Sequence, residues 1–167
     1  SSAMLRANRQ NTRLLQLVAG AFLLPLLAHA YIGLSSRYIA DDYCYAVAAR
    51  QGVLAAQITW YSTWQGSVSS NFLAMLASLL PPETIRFLPA TTLTIWGLLL
   101  TWTVCQLKPV STRAWRLPTS VLLATMTLAL SLDGRPRMTP QTLYWLNGSL
   151  RYLAPQLVLV AYAGFVI

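Results

Sequence analysis

Asp41 and Asp42 are adjacent in a chain that carries only four acidic residues among 167. Paired carboxylates can divide labour, one taking a proton from an acceptor hydroxyl while the other positions it or shares a divalent ion such as Mg2+ or Mn2+. Arg37 lies just upstream, and Tyr38, Tyr43 and Tyr45 add hydroxyls and flat apolar faces. A second group follows near the end of the chain. Arg135, Arg137 and Arg151 present forked donors suited to phosphate oxygens, while Tyr144 and Trp145 offer faces on which a sugar ring can stack. Each residue also has a plainer account. Asp41 can cap a helix, Asp42 can sit at its positive end, the arginines can snorkel, and the Trp and Tyr residues can form a belt at headgroup depth. A cap uses one carboxylate, however, and the second adds repulsion unless a cation or a reacting hydroxyl is near. That imbalance makes Asp41 and Asp42 the catalytic candidates, with Asp41 the first choice for the base.

The elements that must position these residues are apolar and long. Residues 14–34 carry no fixed charge, and at ~1.5 Å per helical residue they cover the ~30 Å hydrocarbon core of a bilayer. A hydrophobic fraction of 56% with 10% charged residues points the same way, toward an all-α, polytopic helical membrane protein of about four transmembrane helices. The expected order is a cytoplasmic tail (1–13), a first span (14–34), an exported loop with membrane-parallel helices (35–84), a second span (85–107), a cytoplasmic loop (108–116), a third span (117–132), an exported loop (133–152) and a fourth span (153–167) that looks truncated. Ser1 to Ala3 read as an appended segment before a natural start at Met4. The alternative, a secretory signal ending near Ala28-His29-Ala30, exports Asp41 equally.

Charge asymmetry sets the expected orientation. Arg6, Arg9 and Arg13 flank one end of the first span and Lys108, Arg113 and Arg116 the far end of the second, so both clusters belong in the cytoplasm. The net charge of +8 is then mostly a topology signal. It is spread over two membrane faces and forms no single groove, so nucleic acid is not an expected partner. Cys44 and Cys105 fall on opposite sides and predict no disulfide. The apolar run at 68–80 would reach only ~20 Å as a helix, so it is expected to lie in the interface and to end at Pro81-Pro82.

Within the first loop, Asp41 is expected to cap a helix from Asp42 to about Arg50 that Gly52 ends. A second helix over 53–65 puts Trp60 and Trp64 on one face, which suits an interface. Asn147-Gly148-Ser149 has the form of a glycosylation sequon, but Asn-Gly reads more simply as a turn. His29, alone in the first span, reads as a helix-packing residue whose polarity is costly at that depth.

Three stretches together resemble a known family. The run 36–46 with Arg37, Asp41, Asp42 and Tyr43, the Trp60-to-Gly66 element, and Tyr144-Trp145-Leu146-Asn147-Gly148-Ser149 with Tyr152 and Pro155 resemble bacterial polytopic glycosyltransferases of the GT-C class. Relatives of this kind take sugars from polyprenyl-phosphate carriers. The resemblance covers about 36–72 and 139–155. It implies a first exported loop with an essential aspartate, preceded by one span and followed by membrane-parallel helices. Family members often follow the Trp-x-Gly element with Arg, where this chain has Ser67 after Gly66.

The function expected from the resemblance is transfer of a sugar from a polyprenyl-phosphate donor to a saccharide, lipid or protein acceptor on the exported face of the bacterial inner membrane, or the amino-terminal part of such an enzyme. Asp41 and Asp42 would be catalytic, and Arg37, Tyr43, Trp64, Arg135, Arg137, Tyr144, Trp145, Asn147 and Arg151 would bind substrate. The competing expectations are a non-catalytic membrane subunit that packs through its Trp-rich face and a transporter fragment.

Overall fold

In the computed structural model, residues 2–63, 67–106, 113–133 and 139–167 are described; they are helical, with no strand among them. Helix α1 (Ser2–Gly33) continues through the residues expected to form a tail, and its span-length part is Arg13–Gly33. Three short helices follow, α2 (Asp41–Gln51), α3 (Val53–Thr63) and α4 (Val68–Ala77), then a 3-10 turn (Pro82–Phe87). The remainder is α5 (Leu88–Gln106), α6 (Arg113–Asp133), α7 (Thr139–Leu143), α8 (Leu146–Gly148), a π-turn (Ser149–Leu153) and α9 (Ala154–Val166).

Among the described residues, three helical stretches are long and apolar enough to cross a bilayer: Arg13–Gly33, Pro82–Gln106 and Leu146–Val166. Leu117–Leu132, expected as a third span, is a shorter apolar helix, though α6 packs along both α1 and α5. The last long helix differs more from expectation. It starts at Leu146, inside the predicted exported loop, and Asn147-Gly148 is helical instead of a turn. Pro155 lacks an amide hydrogen and would interrupt an ordinary α-helix, but the π-turn just before it lets the axis continue with altered hydrogen bonding.

Among the described residues the packing forms two separate cores. The larger joins Leu26 of α1, Leu93 and Trp96 of α5, Leu128 and Leu132 of α6, and Leu143 and Leu153. Around it the outward faces stay apolar: Leu17, Leu98 and Val158 are 72%, 66% and 69% exposed, the kind of surface that bilayer-facing helices carry. Close packing relies on small residues, as expected where apolar solvent supplies no driving force between helices. A Cβ on Gly33 would stand 2.6 Å from the Pro89 ring, and one on Gly164 would run into Trp102. Thr103 Oγ1 adds a 3.1 Å hydrogen bond to the Val160 carbonyl between α5 and α9. His29 behaves as a packing residue, with Nδ1 2.6 Å from the Tyr144 hydroxyl.

The smaller core belongs to the loop helices. Tyr45, Ala48 and Ala49 of α2 pack on Ala74 and Met75 of α4, with Val53, Ala56, Trp60 and Leu150 at the edge. Alanines on the inner face of α2 let the chain of short helices sit tightly together. Gly52, at φ 119, makes the sharp bend between α2 and α3 in a region that favours glycine. Beyond α4, Ser78 Oγ donates to the Ala74 carbonyl at 2.7 Å, and Pro81-Pro82 form the expected corner into the 3-10 turn.

Candidate functional site

Helix α2 brings the two aspartates to the loop core, but with roles exchanged relative to expectation. The residue before the helix is Ala40, not Asp41, and no side chain caps the helix in the usual way. Ala40 has φ 48, the only positive φ at a non-glycine position among the described residues, so the chain enters α2 through a strained link. Asp41 is the first helical residue, half-buried, with no hydrogen bond in the described structure. Asp42 is fully buried and satisfies two backbone amides: Oδ2 accepts from Ile39 N at 3.1 Å and Oδ1 from Asn147 N at 3.2 Å. It therefore ties the start of α2 to a segment 105 residues further along.

Burial pushes the Asp42 carboxyl above its ordinary value of 3.8. The amides of Ile39 and Asn147 pull it back, the nearby Trp145 indole adds a weaker pull in the same sense, and the charge of Asp41 opposes them. A raised folded-state value means that the native protein keeps this proton to higher pH than the unfolded chain does. The Asp42 contribution is thus most favourable below about 3.8 and is lost as pH rises through the folded value. Relative to Asp42→Asn, the wild-type thermal midpoint in detergent should fall as pH is raised from about 4 toward neutrality. A parallel pair of curves would refute it.

Next to Asp42 lies Tyr45, fully buried, whose hydroxyl donates to Asn71 Oδ1 at 2.8 Å and whose ring meets Trp60 at 4.8 Å between centroids. Burial raises the Tyr45 phenol above its ordinary 10.0 while the nearby Arg151 guanidinium lowers it, with burial the larger effect, so the group stays a neutral donor. Removing this bond with Tyr45→Phe should cost about 1–1.5 kcal/mol, read by thermal or denaturant unfolding. Trp60 packs on Tyr45 and is half-buried.

Asn147 is 2% exposed, with Oδ1 buried and without a hydrogen-bond partner; Trp145 Nε1 is also buried, near enough to Asp42 to pull on its carboxyl but short of a well-formed hydrogen bond. Gly148 is required here by space, since a Cβ would run into the Gln141 carbonyl oxygen and press on the Trp145 ring at 3.1 Å.

The predicted site residues thus separate into groups. Asp41, Asp42, Trp145, Asn147 and Arg151 gather around the inner face of α2, whereas Tyr144 packs on the larger core and bonds His29 of α1. Arg37 and Tyr43 line a cavity on the other face of α2 and do not join them. Trp64, Arg135 and Arg137 lie outside the described residues. Tyr45 and Asn71 are central but were not anticipated as site residues. Asn71 had a usable signal, a lone amide in an apolar run, since a buried amide demands a partner.

For Mg2+ or Mn2+ the donor set fits poorly. No cluster of three His, Cys, Asp or Glu side chains exists among the described residues, and both oxygens of Asp42 already accept amide hydrogens, which leaves Asp41 alone. No family model matches the chain, and no curated protein or solved structure matches it.

Proposed function

We propose that the chain is a GT-C type glycosyltransferase of the bacterial inner membrane, or the amino-terminal part of one, with its amino terminus in the cytoplasm and its aspartates on the exported face. The observation that carries this reading is the bond from Asn147 N to Asp42 Oδ1, which joins the two stretches whose residues resemble that family. The basic clusters around residues 6–13 and 108–116 support the orientation.

In this reading Asp41 is the catalytic base and Asp42 a positioning residue. Asp41 is half-buried, its side chain carries no hydrogen bond that would compete for its lone pairs, and it adjoins the fully buried Asp42. It takes the proton from the acceptor hydroxyl as that oxygen bonds to the sugar's anomeric carbon. The bond from that carbon to the carrier phosphate breaks, and its electron pair leaves with the phosphate. No covalent enzyme intermediate is needed, only alignment and charge stabilisation. Arg151, close enough to lower the Tyr45 phenol, brings a guanidinium to the side of α2 that Asp42 and Tyr45 face. Asn147 Oδ1, a buried acceptor without a partner, matches the donor capacity of a sugar hydroxyl. No step is assigned to a metal ion.

The deciding experiment reconstitutes the full-length protein in liposomes with a mixture of radiolabelled polyprenyl-phosphate sugars and follows label leaving the carrier. Transfer that depends on Asp41 supports the enzyme. A protein that assembles correctly yet transfers no label with any donor is a structural subunit.

A further inference from the structure

Helix α2 has two faces of different chemistry. Asp42, Tyr45 and Ala49 point into the loop core, whereas Tyr43, Ala46, Val47 and Arg50 open onto a cavity of about 480 Å3 on the opposite side. Three guanidinium groups reach that cavity from three different segments: Arg37 before α2, Arg50 in its last turn and Arg86 in the 3-10 turn that leads into α5. They face one carboxylate, Glu83. No ion pair joins any of these four groups to another described residue, and all four are exposed. The cavity is therefore built with an excess of uncompensated positive charge.

Its walls are not those of a site for a free ion. Tyr38 and Tyr43 meet edge to face at 5.8 Å beside the arginines. A second cavity of about 250 Å3 continues from the first, sharing Tyr38, Ala46, Arg50 and Pro82, and is lined at its far end by Leu79 and Leu80, both more than half exposed. Forked donors suited to phosphate thus lead directly toward exposed leucines beside the start of a helix long enough to span a bilayer. We infer that this pocket binds the phosphate headgroup of an anionic phospholipid, with the chain end of the lipid leaving across Tyr38, Leu79 and Leu80. The arginines hold the phosphodiester, and Glu83 accepts a hydrogen bond from a headgroup hydroxyl. Because the pocket lies on the far side of α2 from Asp42, the lipid is bound and not consumed. It braces both ends of α2 against the entry to α5. The inference is independent of the reaction proposed for Asp41.

The test uses the full-length protein in a neutral detergent, with phosphatidylglycerol, phosphatidylcholine and inorganic phosphate as probes and native mass spectrometry as the readout. Phosphatidylglycerol should bind at least about tenfold more tightly than phosphatidylcholine, and millimolar inorganic phosphate should not displace it. R50Q/R86Q should weaken phosphatidylglycerol binding about thirtyfold, the worth of two basic side chains at an anionic surface. R9Q/R13Q, at the other end of α1, should leave it unchanged. If R50Q/R86Q fails to fold, R50K/R86K keeps the charge and removes the forks, and a several-fold weakening carries the same conclusion. Equal binding of the two lipids, full displacement by inorganic phosphate, or equal loss in the two Gln variants overturns the proposal, the second outcome assigning the pocket to a soluble phosphate.

Discussion

Asp41→Asn should lower sugar transfer by about 10²–10⁴-fold, the usual worth of a positioned general base, with little change in folding. The expectation follows from what Asp41 touches. It is half-buried, makes no hydrogen bond in the described structure, and occupies the first turn of α2, where loss of its charge removes only about 0.3–1 kcal/mol of favourable interaction with the helix dipole. Asp42→Asn should show the opposite balance. An amide in place of the carboxylate cannot accept from both Ile39 N and Asn147 N, so stability falls and any loss of transfer follows the loss of folded protein. Transfer per folded molecule, with the folded fraction read by size-exclusion chromatography and thermal midpoint, separates the two variants. Full transfer by a well-folded Asp41→Asn protein would remove Asp41 from the chemistry.

The largest effect on stability is expected at Gly148. Its φ of −62 is ordinary helical backbone, so the requirement is one of space alone. An added methyl meets the Gln141 carbonyl, a backbone atom that cannot swing aside, and the Trp145 ring behind it. Gly148→Ala should therefore cost about 3 kcal/mol or more and displace the Asn147 amide that binds Asp42. Gly20→Ala is the matched control. Nothing lies within 4 Å of a Cβ there, and alanine's better helix propensity should leave stability unchanged or raised by up to about 1 kcal/mol. Thermal unfolding in detergent compares them directly. Equal behaviour of the two variants would mean that α7 and α8 are not packed as described.

What could be read in the sequence was local chemistry. The aspartates and Gly52 bracket α2 because carboxylates suit the start of a helix and glycine its end, and Pro81-Pro82 mark a corner because neither can extend a helix. Apolar length likewise foretold α1 and α5. Hidden from that reading was everything set by contacts distant in the chain. Asp41 matched a cap by residue type, but the strained backbone of Ala40 moves the helix start by one position and turns Asp42 inward instead. Asn-Gly signals a turn when judged alone. In the fold, close packing against Gln141 and the π-turn ahead of Pro155 keep Asn147 and Gly148 helical. Arg37 looked like a companion of Asp41 from spacing, but it lines a cavity whose walls do not include Asp41.

The bond between Asp42 and the Asn147 amide also bears on how the protein is made. At a synthesis rate of about 5–20 residues per second, the 105 residues between these partners take roughly 5–20 s to emerge. For that interval a carboxylate destined for a dry interior has only the local Ile39 amide as a partner, and the first loop must wait, half-assembled, for the late helix that carries Asn147. A ribosome paused between these points would hold an intermediate whose early loop is open to proteases, and release of the pause should close it.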